Sequence, residues 1–352
     1  MVVSVSDFDS FLKIILSGKL LSIQEVIVPS KSLYRNDDNL FFTRLGLENA
    51  PVQLGDFRTV DPVKILFYMP REKILPAEYK VKKRLIVGVR ACDLNALAIL
   101  DTALTKSGFV DPSYQNWRNN SIIISSDCSS FLPNCFCTLL GNNPFPEQLF
   151  DLNLSRTDDQ YLITTGSPMG EELLNLMKMY VPVCPASQET IEKVRRQRAE
   201  LIEKQALQIQ TLIHSAESNF GGSNDDIFAE SSKHCVGCGS CTNICPTCYC
   251  LILNDESNHN EFIKFRTYDS CQLHGYARVA GGGTPRPKIE QRFRNRIMCK
   301  FSYMKRNFNV LGCTGCGRCM EVCNLGAVYL KLADMFRNRN SEVVSNDLII
   351  SQ

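Results

Sequence analysis

The sequence predicts two unlike halves: an α/β domain built on a partly parallel sheet, followed by an α+β domain organised around cysteines. Three observations carry this expectation. "RLIVGV" (84–89) and "SIIIS" (121–125) are apolar runs of the kind that form strands buried on both faces, and the helical pattern "DLNALAILDTAL" (93–104) lies between them. Near residue 228 the composition changes, and cysteine, glycine and arginine dominate from there on. The spacing C-x-x-C-x-x-C-x-x-x-C occurs twice, in "CVGCGSCTNIC" and in "CTGCGRCMEVC".

Residues 6–18 read as a helix, because Phe8, Phe11, Leu12 and Ile15 repeat at helical spacing, Ser6 or Asp7 can cap the start and Gly18 can end it. Short β-like runs follow at "IQEVIV", "LFFTRL" and "KILFYM". The strand, helix, strand unit over 84–125, with Asp93 as the helix cap, requires parallel neighbours joined by a right-handed crossover. "QYLITTG" then reads as a strand and "GEELLNLMKMY" as a helix. Residues 187–217 form the longest helical pattern, with Ile191, Val194, Leu201 and Leu207 among its apolar positions. The polar stretch "SNFGGSNDD" breaks that helix. The expected division is therefore an α/β domain over 1–186, a long helix and linker over 187–227, and a cysteine-rich domain over 228–352.

A chain of 352 residues can bury real cores without disulfide staples. Its start, "MVVSVSDFDS", has no basic region leading into an apolar run, and no apolar stretch approaches the ~20 residues of a membrane span. These features lead us to expect a cytoplasmic protein with no membrane insertion, whose thiols stay reduced. Seventeen cysteines in that setting point to metal. The net charge of +2 makes no global case for a nucleic-acid partner.

The repeated spacing is that of bacterial two-cluster ferredoxins, in which three close thiolates hold one [4Fe-4S] cluster and the fourth reaches across to the other. The expected sets are Cys235, Cys238, Cys241 with Cys323, and Cys313, Cys316, Cys319 with Cys245. Gly237, Gly239, Gly315 and Gly317 allow the tight turns that bring amides near sulfur. Tetrahedral zinc also uses C-x-x-C pairs, but zinc ribbons separate their two pairs, whereas here four cysteines fall within eleven positions, twice. Pro246 follows the first motif, while Asn324 follows the second.

A third set is expected at Cys92, Cys128, Cys135 and Cys137. The first two end the buried strands, and adjacent parallel strands present their carboxyl ends side by side. The loop "SSFLPNCFC" returns the other two to the same edge, flanked by Arg90 and Asp93. A third iron–sulfur cluster is the expectation there, against the alternative that small thiols fill the core. Cys248, Cys250 and Cys271 are expected to pack against or hydrogen-bond a cluster, and Cys184 and Cys299 to be buried thiols. His214, His234, His259 and His274 form no motif. Nine Lys or Arg residues from Arg278 to Arg306 oppose a single acid, Glu290, which suits countercharge for anionic clusters or a docking surface; Gly281–Gly283 is expected to form a close turn beside a cluster. No catalytic triad or phosphate-binding loop is visible.

Taken in order, "RACDLNALAILD", "DCSSFLPNCFC", "CVGCGSCTNICPTCYC", "YDSCQ", "AGGGTPRP", "RFRNR" and "GCTGCGRC" resemble the β subunits of cytosolic sulfhydrogenase-type [NiFe] hydrogenases and the related iron–sulfur subunit of anaerobic sulfite reductase. The resemblance implies an electron-transfer subunit that links a flavin-containing, NAD(P)H-reactive subunit to a catalytic oxidoreductase subunit. It also implies functional cysteines at Cys92, Cys128, Cys135 and Cys137. Two rival readings remain open on these residues, a metal-stabilised nucleic-acid-binding protein and a disulfide or sulfur reductase in its own right.

Overall fold

Ten strands form among the residues that the computed structural model describes, which are 1–31, 39–46, 52, 54–75, 82–217, 227–258 and 260–342. They are β1 (Val2–Ser4), β2 (Glu25–Lys31), β3 (Leu40–Arg44), β4 (Arg71–Leu75), β5 (Arg84–Val89), β6 (Ser121–Ser126), β7 (Leu152–Thr157), β8 (Gln160–Thr165), β9 (Leu251–Asn258) and β10 (Glu261–Tyr268). Seven make a mixed sheet in the order β1-β8-β7-β6-β5-β2-β3. β2, β5, β6 and β7 are parallel to one another, and antiparallel strands close both edges. The expected β5–β6 pair is present, with Arg84 opposite Ser121 and Leu85 opposite Ile122.

The helices are α1 (Val5–Gly18), α2 (Ala91–Thr105), α3 (Pro112–Asn119), α4 (Pro168–Tyr180), α5 (Gln188–Glu217), α6 (Ile227–Ser232), α7 (Ser240–Asn243), α8 (Ile289–Met298), α9 (Met304–Phe308), α10 (Arg318–Glu321) and α11 (Gly326–Glu342). A π-turn at Cys299–Tyr303 joins α8 to α9. Strand periodicity divides the core in two. Leu85, Val87, Ile122 and Ile124 face α1 and α4, which supply Phe8, Phe11, Leu12, Leu173 and Met177. Ile86 and Ile123 face the other way, onto Leu94, Leu97 and Leu100 of α2 and Tyr114 of α3.

Several local expectations are corrected. Ser4 caps α1, accepting from the Asp7 amide at 3.0 Å, and Lys19 rather than Gly18 takes the left-handed turn that ends it. α2 begins two residues early, at Ala91, so Asp93 lies in its first turn and its carboxylate serves elsewhere. "KILFYM" is a 3-10 turn and not a strand: the Phe67 and Tyr68 amides both return to the Lys64 carbonyl, at 2.9 and 2.8 Å. Periodicity cannot separate a short buried run from a strand. On α5, Val194 and Leu201 are buried as expected, but Leu207 is 65% exposed and the inward face continues through Gln205 and Ile209. The expected break at 218–226 lies outside the described residues.

The two halves share secondary structure. β4, from the first half, forms an antiparallel three-stranded sheet with β10 and β9. Buried Arg266 on β10 pairs with Glu72 of β4 and with Asp111. Arg318 pairs with Asp93 at 2.8 Å and Arg58 with Glu321 at 2.6 Å. Breaking a fully buried pair leaves an uncompensated charge, so Arg318→Leu should destabilise the chain by about 3–5 kcal/mol in urea unfolding. A change below about 1 kcal/mol would mean that the pair does not hold the halves together.

Candidate metal centres

Each cysteine motif turns back on itself at two glycines in left-handed conformation, Gly237 and Gly239 in the first (φ 66° and 78°) and Gly315 and Gly317 in the second (φ 69° and 72°). A one-turn helix follows each, α7 and α10. Cys235, Cys238, Cys241 and Cys323 line one cavity of about 160 Å³, together with Gln272 and Tyr329. Cys238 is exposed, and the Ser240 hydroxyl 3.4 Å from its sulfur lowers its thiol below the usual range.

Cys313, Cys316, Cys319 and Cys245 line a second cavity, with Arg296, Lys300, Thr314 and Tyr329. Burial pushes Cys313 and Cys319 up to about 12. Cys245 behaves oppositely, lowered chiefly by a hydrogen bond with the Cys248 thiol, which rises in turn. Burial opposes the charges of Arg296 and Lys300, yet neighbouring cysteine sulfurs, Cys241 and Cys319 for the arginine and Cys245 and Cys248 for the lysine, raise both well above their ordinary values. Arg296 donates to the Cys241 carbonyl at 3.2 Å and Lys300 to the Thr247 hydroxyl at 2.6 Å. Arg296 Nε and Thr314 Oγ1 are buried on this cavity's wall with no hydrogen-bond partner among the described atoms. Orphaned donors facing four thiols fit an anionic, sulfur-rich group.

Cys92, Cys128, Cys135 and Cys137 line a third cavity at the carboxyl ends of β5 and β6. Burial raises the Cys92 thiol well above its ordinary value, Cys128 to about 11 and Cys137 to about 12. Cys137 donates to Gln205 Oε1 at 3.1 Å, and that oxygen also accepts from the Thr138 amide. Arg90 donates to the Leu54, Gly55 and Asp127 carbonyls and to the Ser126 hydroxyl, so it braces the cavity wall instead of contacting a sulfur. The cation beside this set that sequence reasoning missed is Arg58. Burial raises Cys135 and Cys128; Arg58 partly offsets that rise at Cys135, Arg90 does so more than Arg58 at Cys128, and Arg58 donates to the Cys316 carbonyl at 2.5 Å. Nothing in the loop "GDFRTV" signals that role.

The three cavities adjoin. Tyr329 lines the first and second, and Cys316 lines the second and third. A Cβ on Gly315 would sit 2.5 Å from Cys137 Cα, and one on Gly317 would overlap the Asn134 carbonyl oxygen. The Phe136 amide donates to the Gly315 carbonyl at 2.8 Å. Backbone therefore lies directly on backbone between the second and third sets. Among the described residues, no three His, Cys, Asp or Glu side chains are arranged to hold a single metal ion; the thiol sets surround space.

The other cysteines differ from one another. Cys271 is buried, Cys250 lies 3.9 Å from the Tyr276 hydroxyl, Cys299 is half-buried and starts the π-turn, and Cys184 is exposed, against expectation, because its backbone only bridges to Val2. His234 and His274 are exposed. His259 and the side chain of His214 lie outside the described residues. Gly281–Gly283 makes a tight turn, with the Val279 amide donating to the Gly283 carbonyl at 2.9 Å. All three glycines are exposed, so no cysteine set packs against them. The basic run divides: Arg292, Arg296 and Lys300 point inward at four-residue spacing, while Arg278, Arg294 and Lys288 are exposed.

Residues 234–327 match the family described as a 4Fe-4S dicluster domain. The chain is thus an iron–sulfur electron-transfer protein of the dicluster class, with two [4Fe-4S] clusters. It is also 31% identical over 296 residues to Sulfhydrogenase 2 subunit beta of Pyrococcus furiosus, a match spanning 80% of this chain and 84% of that protein. The chain belongs to that hydrogenase β-subunit family. No helix among the described residues is long and apolar enough to cross a membrane.

Ligation requires thiolates, and burial keeps Cys313 and Cys319 protonated near neutrality, so cluster assembly at the second set must release protons. Reconstituting the iron-free chain with iron and sulfide should therefore be more complete at pH 9 than at pH 7. Equal occupancy at both pH values would contradict raised thiols.

Proposed function

We propose that this chain carries three [4Fe-4S] clusters in a row and relays single electrons between two other subunits of a cytoplasmic oxidoreductase. When bound, such clusters exchange one electron at a time at potentials from about −700 to +450 mV. In this reading Cys235, Cys238, Cys241 and Cys323 hold the first cluster, and Cys245, Cys313, Cys316 and Cys319 the second, the crossed pairing of a ferredoxin-like domain. Cys92, Cys128, Cys135 and Cys137 hold the third. The carrying observation is that the third thiol set packs, backbone to backbone, on the second motif. That Tyr329 lines the first and second cavities and Cys316 the second and third supports a series arrangement. We assign two partners: a flavin-bearing, NAD(P)H-reactive subunit on one side, and on the other a catalytic subunit of hydrogenase or sulfur or sulfite reductase type. The curated relative is itself named as one subunit of a sulfhydrogenase.

The first test is iron and acid-labile sulfide on protein purified without oxygen. Three clusters require about twelve irons per chain, and Cys128→Ser with Cys135→Ser should leave about eight. About eight in the unmodified chain would return the third set to core packing. Cys238→Ser should impair electron transfer through the assembled complex while leaving its remote catalytic site intact; full overall turnover would sink the relay. Lys300→Met removes a cation from the second cavity and should lower that centre's potential by tens of millivolts in a redox titration.

A second reading draws on a cleft of about 300 Å³, lined by Cys128, Arg156, Arg198 and Lys204, which opens beside the third set. There the chain would itself reduce a disulfide or sulfur species. The isolated chain, supplied with an artificial donor, would then turn over such a substrate, and Cys128→Ser would abolish that turnover.

A further inference from the structure

The surface around the first cysteine set has properties that the relay alone does not require. Cys238 is exposed, and two exposed valines, Val236 at 85% and Val322, line the mouth of the same cavity. Exposed Leu273 lies 3.6 Å from where a Gly239 Cβ would be. Apolar side chains surrounding an open redox site form the dry centre of a docking patch. Both ends of the segment from Leu273 to Ile289 meet this patch, since Ile289 lies 3.4 Å from where a Gly237 Cβ would be. Arg292 fixes that segment, donating to the Gln272 carbonyl at 3.1 Å and to the Arg286 and Pro287 carbonyls at 3.0 and 2.7 Å.

This segment is basic and lacks acids. No Asp or Glu occurs between Ser270 and Ile289, whereas Arg278, Arg286 and Lys288 do. Among the described residues neither Arg278 nor Arg286 is in an ion pair, and Lys288 reaches only its neighbour Glu290, at 3.7 Å. The acids next to this region in sequence are already engaged: Asp269 accepts from the Ser270 amide at 2.7 Å, Glu321 pairs with Arg58 at 2.6 Å, and Glu230 pairs with Lys233. An apolar centre with a one-sign rim selects a partner of opposite charge and speeds its encounter.

Building on the electron-transfer reading, we infer that this face docks an acidic protein carrying a one-electron redox centre, which exchanges one electron with the first cluster beside Cys238. One electron leaves the donor's reduced centre and the cluster gains it, with no bond made or broken.

The test follows the bleaching of visible absorbance when the purified full chain with its clusters bound is mixed anaerobically with the hydroquinone of a flavodoxin, a small acidic flavoprotein. Photoreduced 5-deazariboflavin, which is uncharged, serves as the comparison donor. The flavodoxin rate should fall about tenfold from low to high salt. Arg278→Glu, Arg286→Glu and Lys288→Glu together should cut it at least about tenfold at low salt while leaving the deazaflavin rate unchanged. Should that triple variant lose iron, Val236→Glu alone serves, and the same selective loss is expected. A flavodoxin rate indifferent to salt and to these substitutions overturns the docking surface and leaves the relay standing. Failure of deazaflavin to bleach the protein would instead overturn the electron-transfer reading itself. Single-stranded RNA that binds at the same salt and is released by the triple substitution would reassign the rim to nucleic acid.

Discussion

The arrangement of the three cysteine sets depends on one buried ion pair, Arg318 with Asp93. The guanidinium is 0% exposed and meets both carboxylate oxygens, at 2.9 and 2.8 Å. It also donates to the carbonyls of Thr59, Val60 and Asp61. Such complete pairing is what a charge removed from water demands, and it fixes geometry more than it adds stability. Asp93 follows Cys92 directly, and Arg318 lies between Cys316 and Cys319. The pair therefore sets the position of a third-set thiol relative to the second motif, and the loop at 59–61 must wrap around it to supply oxygens.

With that position set, the close approach of Gly315 and Gly317 to the loop carrying Cys135 and Cys137 explains why both positions are glycine. Their left-handed backbone would tolerate Asn at some cost, but the space would not, since any Cβ collides with backbone atoms of that loop. Charge is arranged around this contact. Arg292, Arg296 and Lys300 share one face of α8 and the π-turn, and Lys64, lowered by burial, is tethered to the Asn243 and Cys248 carbonyls at 3.3 and 3.0 Å. Buried cations without carboxylate partners are costly in an empty protein. They become favourable when the adjacent space holds negative charge, so the same residues that destabilise the iron-free chain favour the loaded one.

Much of this was legible in the sequence because the constraints were local. Cysteine spacing stated the two motifs; Cys235, Cys238, Cys241 and Cys323 line one cavity, and Cys245, Cys313, Cys316 and Cys319 line another. The buried strands before Cys92 and Cys128 stated the third convergence, since parallel strands leave little choice about where their ends meet. What remained illegible depends on long-range pairing. β1 and β4 are short and owe their existence to β8 and β10. Lys64 and "KILFYM" carry a strand-like composition into a turn whose lysine is held from nearly two hundred residues away. Arg58 and Gln205 have no motif at all; their roles come from the cysteines that other segments bring to them.

On the three-site reading, the two ends of the series meet the surface differently. The first end presents Cys238 to solvent at a basic, apolar-centred mouth. The other end is recessed: half-buried Cys128 is reached through the cleft between α5 and the sheet, where Arg198 pairs with Asp127 at 2.8 Å. Encounter with a diffusing partner favours an open, charged face, because steering acts before contact. A recessed end favours a partner that inserts a segment and stays, because the cleft must be filled to bring a redox centre near Cys128. On the proposed docking, the open first set suits exchange with an acidic redox partner and the recessed third set suits a subunit that fills the cleft.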